Sequence, residues 1–220
     1  MARTTARPQP PRVSAPDLPE HLDDATGRRH GDHIGQRIPL AGDLAHAQFE
    51  QCSLSGSAAL REAQGPVDLT GATLLDVEIV DARTAALSLK DATIRRLRIA
   101  GGRIGTLDLS GAHVAELIVE HARIDYLSLA AAKIQDSLIT DCTLVTVDLP
   151  MATLTRVRFE NCRADEVDTR GLRADSLDLR GLDALAFLDV AALRGSTLTT
   201  YQVQQLAQVL ATSAGIDVQD

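Results

Sequence analysis

From Leu69 to Leu179 an apolar residue recurs at almost every fifth position. Leu69, Leu74, Ile79, Leu89, Ile94, Ile99 and Ile104 open the series, and Leu144, Leu149, Leu154 and Phe159 continue it in the same phase. A second series runs two residues earlier through Val67, Ala72, Val77, Ala82, Leu87, Ala92 and Leu97. A period of five fits neither the 3.6-residue turn of an α-helix nor the two-residue alternation of a strand. It fits a coil built from short segments, each with two inward side chains flanking one outward residue, followed by two residues that turn a corner. Coils of this kind stack at ~4.8 Å and pair their backbones with one another. The pattern therefore predicts an all-β solenoid made of repeats.

The phase is present early, at Leu44, Phe49 and Leu54. It fades between Ser55 and Pro66, where Ala59 and Gln64 hold the expected large positions, and it resumes at Leu69 without a shift. An irregular coil, or a loop bulging from one, is expected over 55–66. Beyond Leu185 the spacing changes: Val203, Leu206, Ala207 and Leu210 fall at i, i+3, i+4 and i+7, which predicts an amphipathic helix. Thr199 or Thr200 is placed to cap its start and Gly215 to end it. Residues 1–37 concentrate Pro8, Pro10, Pro11, Pro16 and Pro19 and show no apolar period, so they are expected to form a disordered tail. The chain thus divides into a tail (1–37), a solenoid (38–187) and a C-terminal capping or dimerisation helix (188–220).

The units Val67-Asp68-Leu69-Thr70-Gly71, Leu107-Asp108-Leu109-Ser110-Gly111 and Leu177-Asp178-Leu179-Arg180-Gly181 resemble those of the pentapeptide-repeat proteins. The resemblance runs from about Gly42 to Leu185. It implies a right-handed quadrilateral β-helix, four units and twenty residues to the coil. Two departures stand out: Asp or Asn is frequent at the second position on only one set of faces, and aromatic residues are rare at the central position. Aligned at twenty residues, the first inward position alternates in size, with Val67, Val77, Leu87 and Leu97 large and Ala72, Ala82, Ala92 and Gly102 small. Opposite faces then match. Six coils from residue 67 to residue 186 give a stack of about 29 Å. Each end of such a stack needs a cap, because unpaired backbone invites aggregation.

The same alignment gathers outward residues into columns. One column reads Arg83, Arg103, Arg123, Thr143, Arg163. It is a candidate basic stripe for an acidic partner, unless Asp81, Asp125, Asp141, Asp165 and Glu166 neutralise it locally. A second column holds Asp68, Asp108, Asp148 and Asp168, interrupted by Ser88 and Ser128. It is a candidate surface too, although the family pattern gives its positions a structural role in the coil. Cys142 and Cys162 share a small inward column and, like Cys52, are expected to be core residues. His46, His113 and His121 point outward on different faces, and His30-Gly31-Asp32-His33 is too short a cluster to stand as a metal motif. The sequence contains no nucleophile elbow, phosphate loop or zinc spacing. Neither an enzyme nor a cofactor or metal site is expected.

Composition narrows the function further. Aromatic residues make up only 2% of the chain, so the core is built from small aliphatic side chains. The two lysines, Lys90 and Lys133, sit among 22 basic residues, an arginine bias typical of GC-rich bacterial genomes. No secretory pattern and no membrane-length apolar run is visible, and a cytoplasmic location is expected. A net charge of −8 argues against direct nucleic-acid binding. The expectation is a rigid, non-catalytic scaffold that binds another protein. The resemblance adds an alternative, a DNA mimic that binds DNA gyrase in the manner of quinolone-resistance proteins and dimerises through its C-terminal helix. Charge density speaks against it: about 29 Å of duplex carries about 17 phosphates, roughly twice the net charge of this solenoid.

Overall fold

The computed structural model describes residues 7–56 and 65–219. Its body is a parallel β-solenoid whose coils lie in strict register. Val67 lies beside Leu87, Leu87 beside Leu107, Leu107 beside Leu127, Leu127 beside Val147, Val147 beside Val167, and Val167 beside Phe187. Each step is twenty residues, so both apolar series of the sequence become columns inside the stack. Ala72, Ala82, Ala92 and Ala112 fill the small columns and Leu87, Leu107, Leu177 and Val77 the large ones, all fully buried.

The two residues that follow each inward pair turn the corner, and at three of the four corners the turn uses left-handed backbone. Asp76 (φ 54), Asp81 (φ 48), Asp91 (φ 54), Asp136 (φ 51), Asp141 (φ 53) and Asn161 (φ 50) all sit there. Short polar side chains tolerate this conformation best. Arg96, Met151 and Arg156 adopt it as well, at φ 58, 58 and 53. Each costs up to about 1–2 kcal/mol, so the ladder of backbone hydrogen bonds imposes the turn even where the residue disfavours it.

The lapse at 55–66 is an inserted unit. Ser55 pairs with Val80 and Val67 with Leu87, so twelve residue steps stand opposite seven. The five extra residues equal one repeat, which is why the phase resumes unshifted. Ala59 and Gln64 lie outside the described residues. Opposite the insertion, the large apolar column is broken by Thr84, whose buried hydroxyl lies 2.7 Å from the Gly65 carbonyl oxygen. The next coil end shows the same device: Thr169, also buried, bonds the Leu188 carbonyl at 2.6 Å where the chain leaves the solenoid.

The expectation of a disordered tail over 1–37 is corrected over the described residues. Asp32–Ile34 pairs with the strand Gln48–Ser55 at an offset of sixteen residues, and so does Gln36–Pro39. Asp23–Asp24 in turn pairs with Gln36 and Arg37. Ile38 and Leu40 are buried in the core and Ala25 packs against it. These turns form the N-terminal cap. They escape the five-residue lattice because their coils are shortened, so the apolar residues fall out of phase.

At the other end, the single predicted helix is two short ones, α1 (Thr200–Gln205) and α2 (Ala207–Ser213), separated at Leu206. Thr199 caps α1 through a reciprocal capping box with Gln202. Leu206 and Leu210 pack against the end of the core, whereas Val203, Ala207 and Val209 remain exposed. Gln202 does more than cap the helix. Its side-chain amide donates to the carbonyls of Leu179 and Leu182, both at 2.8 Å, and so satisfies acceptors on the edge that the final coil leaves open. Gln202→Ala removes the side-chain donor from both carbonyls, leaving that of Leu179 only the Leu182 N–H at 3.0 Å. It is expected to cost about 1–3 kcal/mol, read as a lower melting temperature with an unchanged circular-dichroism spectrum. Ser137 presents the converse case. It is buried in the large column between Leu117 and Val157, and its hydroxyl has no partner among the described residues. Ser137→Val is expected to raise stability by about 1 kcal/mol or more in denaturant titration.

Candidate interaction surface

The Arg column exists as a physical ladder. Arg83, Arg103 and Arg123 are in register on successive coils, followed by Thr143 and Arg163. All four arginines are exposed. Among the described residues Asp125 is the single carboxylate that reaches them, 3.4 Å from Arg103 and 3.3 Å from Arg123, and Arg83 and Arg163 have no ion pair. Beside the lower rungs stand Ala85 and Gly105, which add no charge. Gly105 is small of necessity, since a Cβ there would come within 2.4 Å of the Ala85 carbonyl oxygen. Of the five acids named as neutralisers, Asp125 acts in that way, while Asp141 instead accepts from Asn161.

The Asp column has a different job. Asp68, Asp108 and Asp168 each accept the backbone N–H two residues on, at 2.8, 2.8 and 3.0 Å. They are turn caps of the kind that Asp and Asn form readily. Asp148 is the exception, because Pro150 has no N–H to offer; its carboxylate accepts the Tyr126 hydroxyl instead. That bond, reinforced by burial, pushes the Tyr126 phenol up to about 12. Asp168 is further tied to Arg170, which holds its carboxyl below the usual range. The column therefore has little carboxylate left to offer a partner.

A third column, which the sequence reading did not single out, sits at the corner of Asp76, Arg96, Glu116, Asp136 and Arg156. Arg96 pairs with Asp76 at 2.6 Å and Arg156 with Asp136 at 2.6 Å, and both aspartates are buried. Along this corner lies the N-terminal leader, extended and parallel to the solenoid axis. The N–H of Asp17 donates to Asp76 at 3.0 Å, that of Ser14 to Glu116 at 3.1 Å, and that of Arg12 to Asp136 at 2.9 Å. Gln51 holds the Asp17 carbonyl at 3.1 Å. The spacing follows from simple geometry. Three residues of polyproline-like chain span about 9 Å, and two coils of strand about 10 Å. Pro8, Pro11, Val13, Pro16 and Leu18 are half-buried, and no residue of the leader from Arg7 to Glu20 is fully buried.

Three amide–carboxylate bonds contribute about 1.5–3 kcal/mol each. The prolines lower the entropy lost on ordering the leader, because they fix its backbone in advance. The sequence did carry a signal for it, in prolines that keep a segment extended while sparing the amides of Arg12, Ser14 and Asp17.

Among the described residues, no group of three His, Cys, Asp or Glu side chains converges to hold a metal ion. His33 of the His30–His33 cluster is buried and stacked on Phe49 with ring centroids 5.1 Å apart, and His30 stacks on His46. Cys52, Cys142 and Cys162 are free and buried. The adjacent Cys162, reinforced by burial, pushes the Cys142 thiol up.

The bond to Arg156 holds the Asp136 carboxyl down at about 2, and the Arg12 amide adds to the effect. Arg156 stays with Asp136 whether or not the leader is docked, so only the part of the shift due to the Arg12 amide is linked to docking. That part stabilises the docked leader while Asp136 is ionised and is lost as pH falls toward about 2. Protection factors at residues 12–17, which correct for the intrinsic pH dependence of exchange, are therefore expected to fall as pH drops toward about 2, before those of the core amides.

No protein-family model matches the chain, and no curated protein does. Solved structures do. QnrB1, described as a plasmid-mediated fluoroquinolone resistance protein, aligns at 14% identity over 90% of this chain and 100% of its own, with a TM-score of 0.30. HetL, a pentapeptide-repeat protein involved in heterocyst differentiation regulation in the cyanobacterium Nostoc, aligns at 13% identity over 76% of this chain and 86% of its own, with a TM-score of 0.33. Such values carry no argument about a partner, and the fold rests on the register itself. With five-residue units closing in fours, and coils paired at an offset of twenty from Val67 to Phe187, the chain has the fold of a four-sided β-solenoid of pentapeptide repeats.

Proposed function

We propose that the protein is a non-catalytic scaffold that binds an acidic surface of another protein through the face carrying Arg83, Arg103 and Arg123. The observation that supports this reading is the uncompensated ladder. Like charges at strand spacing repel and destabilise a sheet. Elsewhere several arginines are answered by a carboxylate on a neighbouring coil: Asp76 for Arg96, Asp136 for Arg156, and Glu78 and Glu120 for Arg98. On the Arg83 face, among the described residues, one aspartate serves two of the arginines and none serves the third. The missing negative charge is what a partner supplies.

The DNA-mimicking alternative requires rows of free carboxylates. Here seven of the acids are engaged, as turn caps at Asp68, Asp108 and Asp168 and as ion pairs at Asp76, Glu78, Glu120 and Asp136. A supercoiling assay in which gyrase is inhibited by stoichiometric amounts of the protein would reinstate it. Self-association through α1 and α2 belongs to the same proposal, and its contact residues are Val203, Ala207 and Val209. Leu206 and Leu210 are committed to the core, so changing them tests the cap and not the dimer.

The three arginines are exposed, so Arg83→Glu, Arg103→Glu and Arg123→Glu are expected to leave folding intact. In quantitative co-purification from the native cell extract, the triple variant is expected to lose a specific partner at least tenfold. Raising salt to several hundred millimolar is expected to weaken the wild-type interaction in the same way. Equal recovery by the two proteins overturns the assignment of this face.

A further inference from the structure

The corner that carries the leader is a second candidate site, on a different part of the molecule from the Arg ladder. We propose that it is a recognition groove for an extended, proline-containing segment of another protein, and that residues 8–19 are its exchangeable resident.

Four observations support this. The groove holds its occupant chiefly by backbone: the amides of Arg12, Ser14 and Asp17 donate to Asp136, Glu116 and Asp76, so little is asked of the ligand's side chains beyond an extended conformation with amides in step with the coils. The two buried acceptors are positioned independently of the leader, Asp76 by Arg96 and Asp136 by Arg156 at 2.6 Å each, so they stay in place when it departs. Next to this corner the outward column, charged at Arg98 and Arg158, turns apolar at Ile118 and Leu138. Both are half-buried, and they stand on the coils of Glu116 and Asp136, where Ser14 and Arg12 dock. Finally, the leader precedes the cap strands, which begin at Asp23, and has no fully buried residue, so it can leave without unfolding the cap.

A partner segment that fits has the leader's chemistry. It is an extended peptide with proline at most positions that do not donate, free N–H groups two and three residues apart, and small apolar side chains between them. This mode of recognition uses the preformed backbone of proline-rich chain, which has little entropy left to lose.

The test uses the full chain. Arg12→Pro with Ser14→Pro preserves the extended backbone and removes two of the three donors. In this variant, hydrogen exchange at Asp17 is expected to rise at least tenfold, with the solenoid unchanged. A labelled synthetic peptide of the native sequence 7–19 is then expected to bind the variant saturably in fluorescence anisotropy, at least tenfold tighter than it binds the wild-type protein. A peptide with proline at both donor positions is expected not to bind. A leader that stays protected despite the lost donors overturns the proposal, as does a released groove that ignores the native peptide. Concentration-dependent dimerisation of the wild-type protein that the variant lacks would give the groove to a second copy's leader and equally overturn the partner assignment. Failure here leaves the Arg ladder untouched, because Arg83, Arg103 and Arg123 lie on another face.

Discussion

Parallel backbone pairing at an offset of twenty residues governs the rest of this molecule. Each coil's amides and carbonyls are satisfied by the coils above and below, so a residue's environment is set by its place in the coil and by its neighbours twenty residues away. Inward positions must match in size along a column, which explains why Ala72, Ala82 and Ala92 alternate with Val77, Leu87 and Leu97. Corner positions must accept left-handed backbone, which explains the recurrence of aspartate there. Outward positions are brought into ladders whether or not their charges agree. The ladder that reads Arg, Arg, Arg and the corner that reads Asp, Arg, Glu, Asp, Arg are products of the same constraint, one left frustrated and the other satisfied.

The ends of the stack show how the constraint is released. A regular coil has no internal reason to stop, so termination falls to residues that redirect backbone bonds. At the C-terminal end Gln202 reaches back from α1 to two open carbonyls, and Leu206 and Leu210 close the apolar column. At the N-terminal end shortened coils taper the stack, and Ile38 and Leu40 fill it. Where a coil is interrupted internally, a threonine replaces an apolar residue: Thr84 answers the insertion and Thr169 the exit. A polar residue at a lattice position marks irregular chain beside it, and this marker is readable without coordinates.

The period of five was enough to identify the solenoid, the inward columns and the in-phase lapse after Ser55, because burial repeats with chain position wherever the offset is constant. The identity of the outward columns followed from the same arithmetic, down to the order Arg83, Arg103, Arg123. Their meaning did not. Whether an exposed aspartate is free or caps a turn depends on an amide two residues on, and the proline at 150 is the one hint of it that the sequence prints.

What only the tertiary structure decided lies where the offset changes or the chain departs from the lattice. The leader looked like a disordered tail because its prolines abolish any strand-like or helical period, yet those prolines keep it extended along a column of carboxylates. Its partners, Asp76, Glu116 and Asp136, are 59 to 124 residues away, a distance at which local pattern holds no information. The cap strands were hidden for the same reason, since an offset of sixteen puts Ile38 out of phase with the residues it joins. Repetition made the body of this protein legible in one dimension. Its ends and its docked leader exist only as contacts in three.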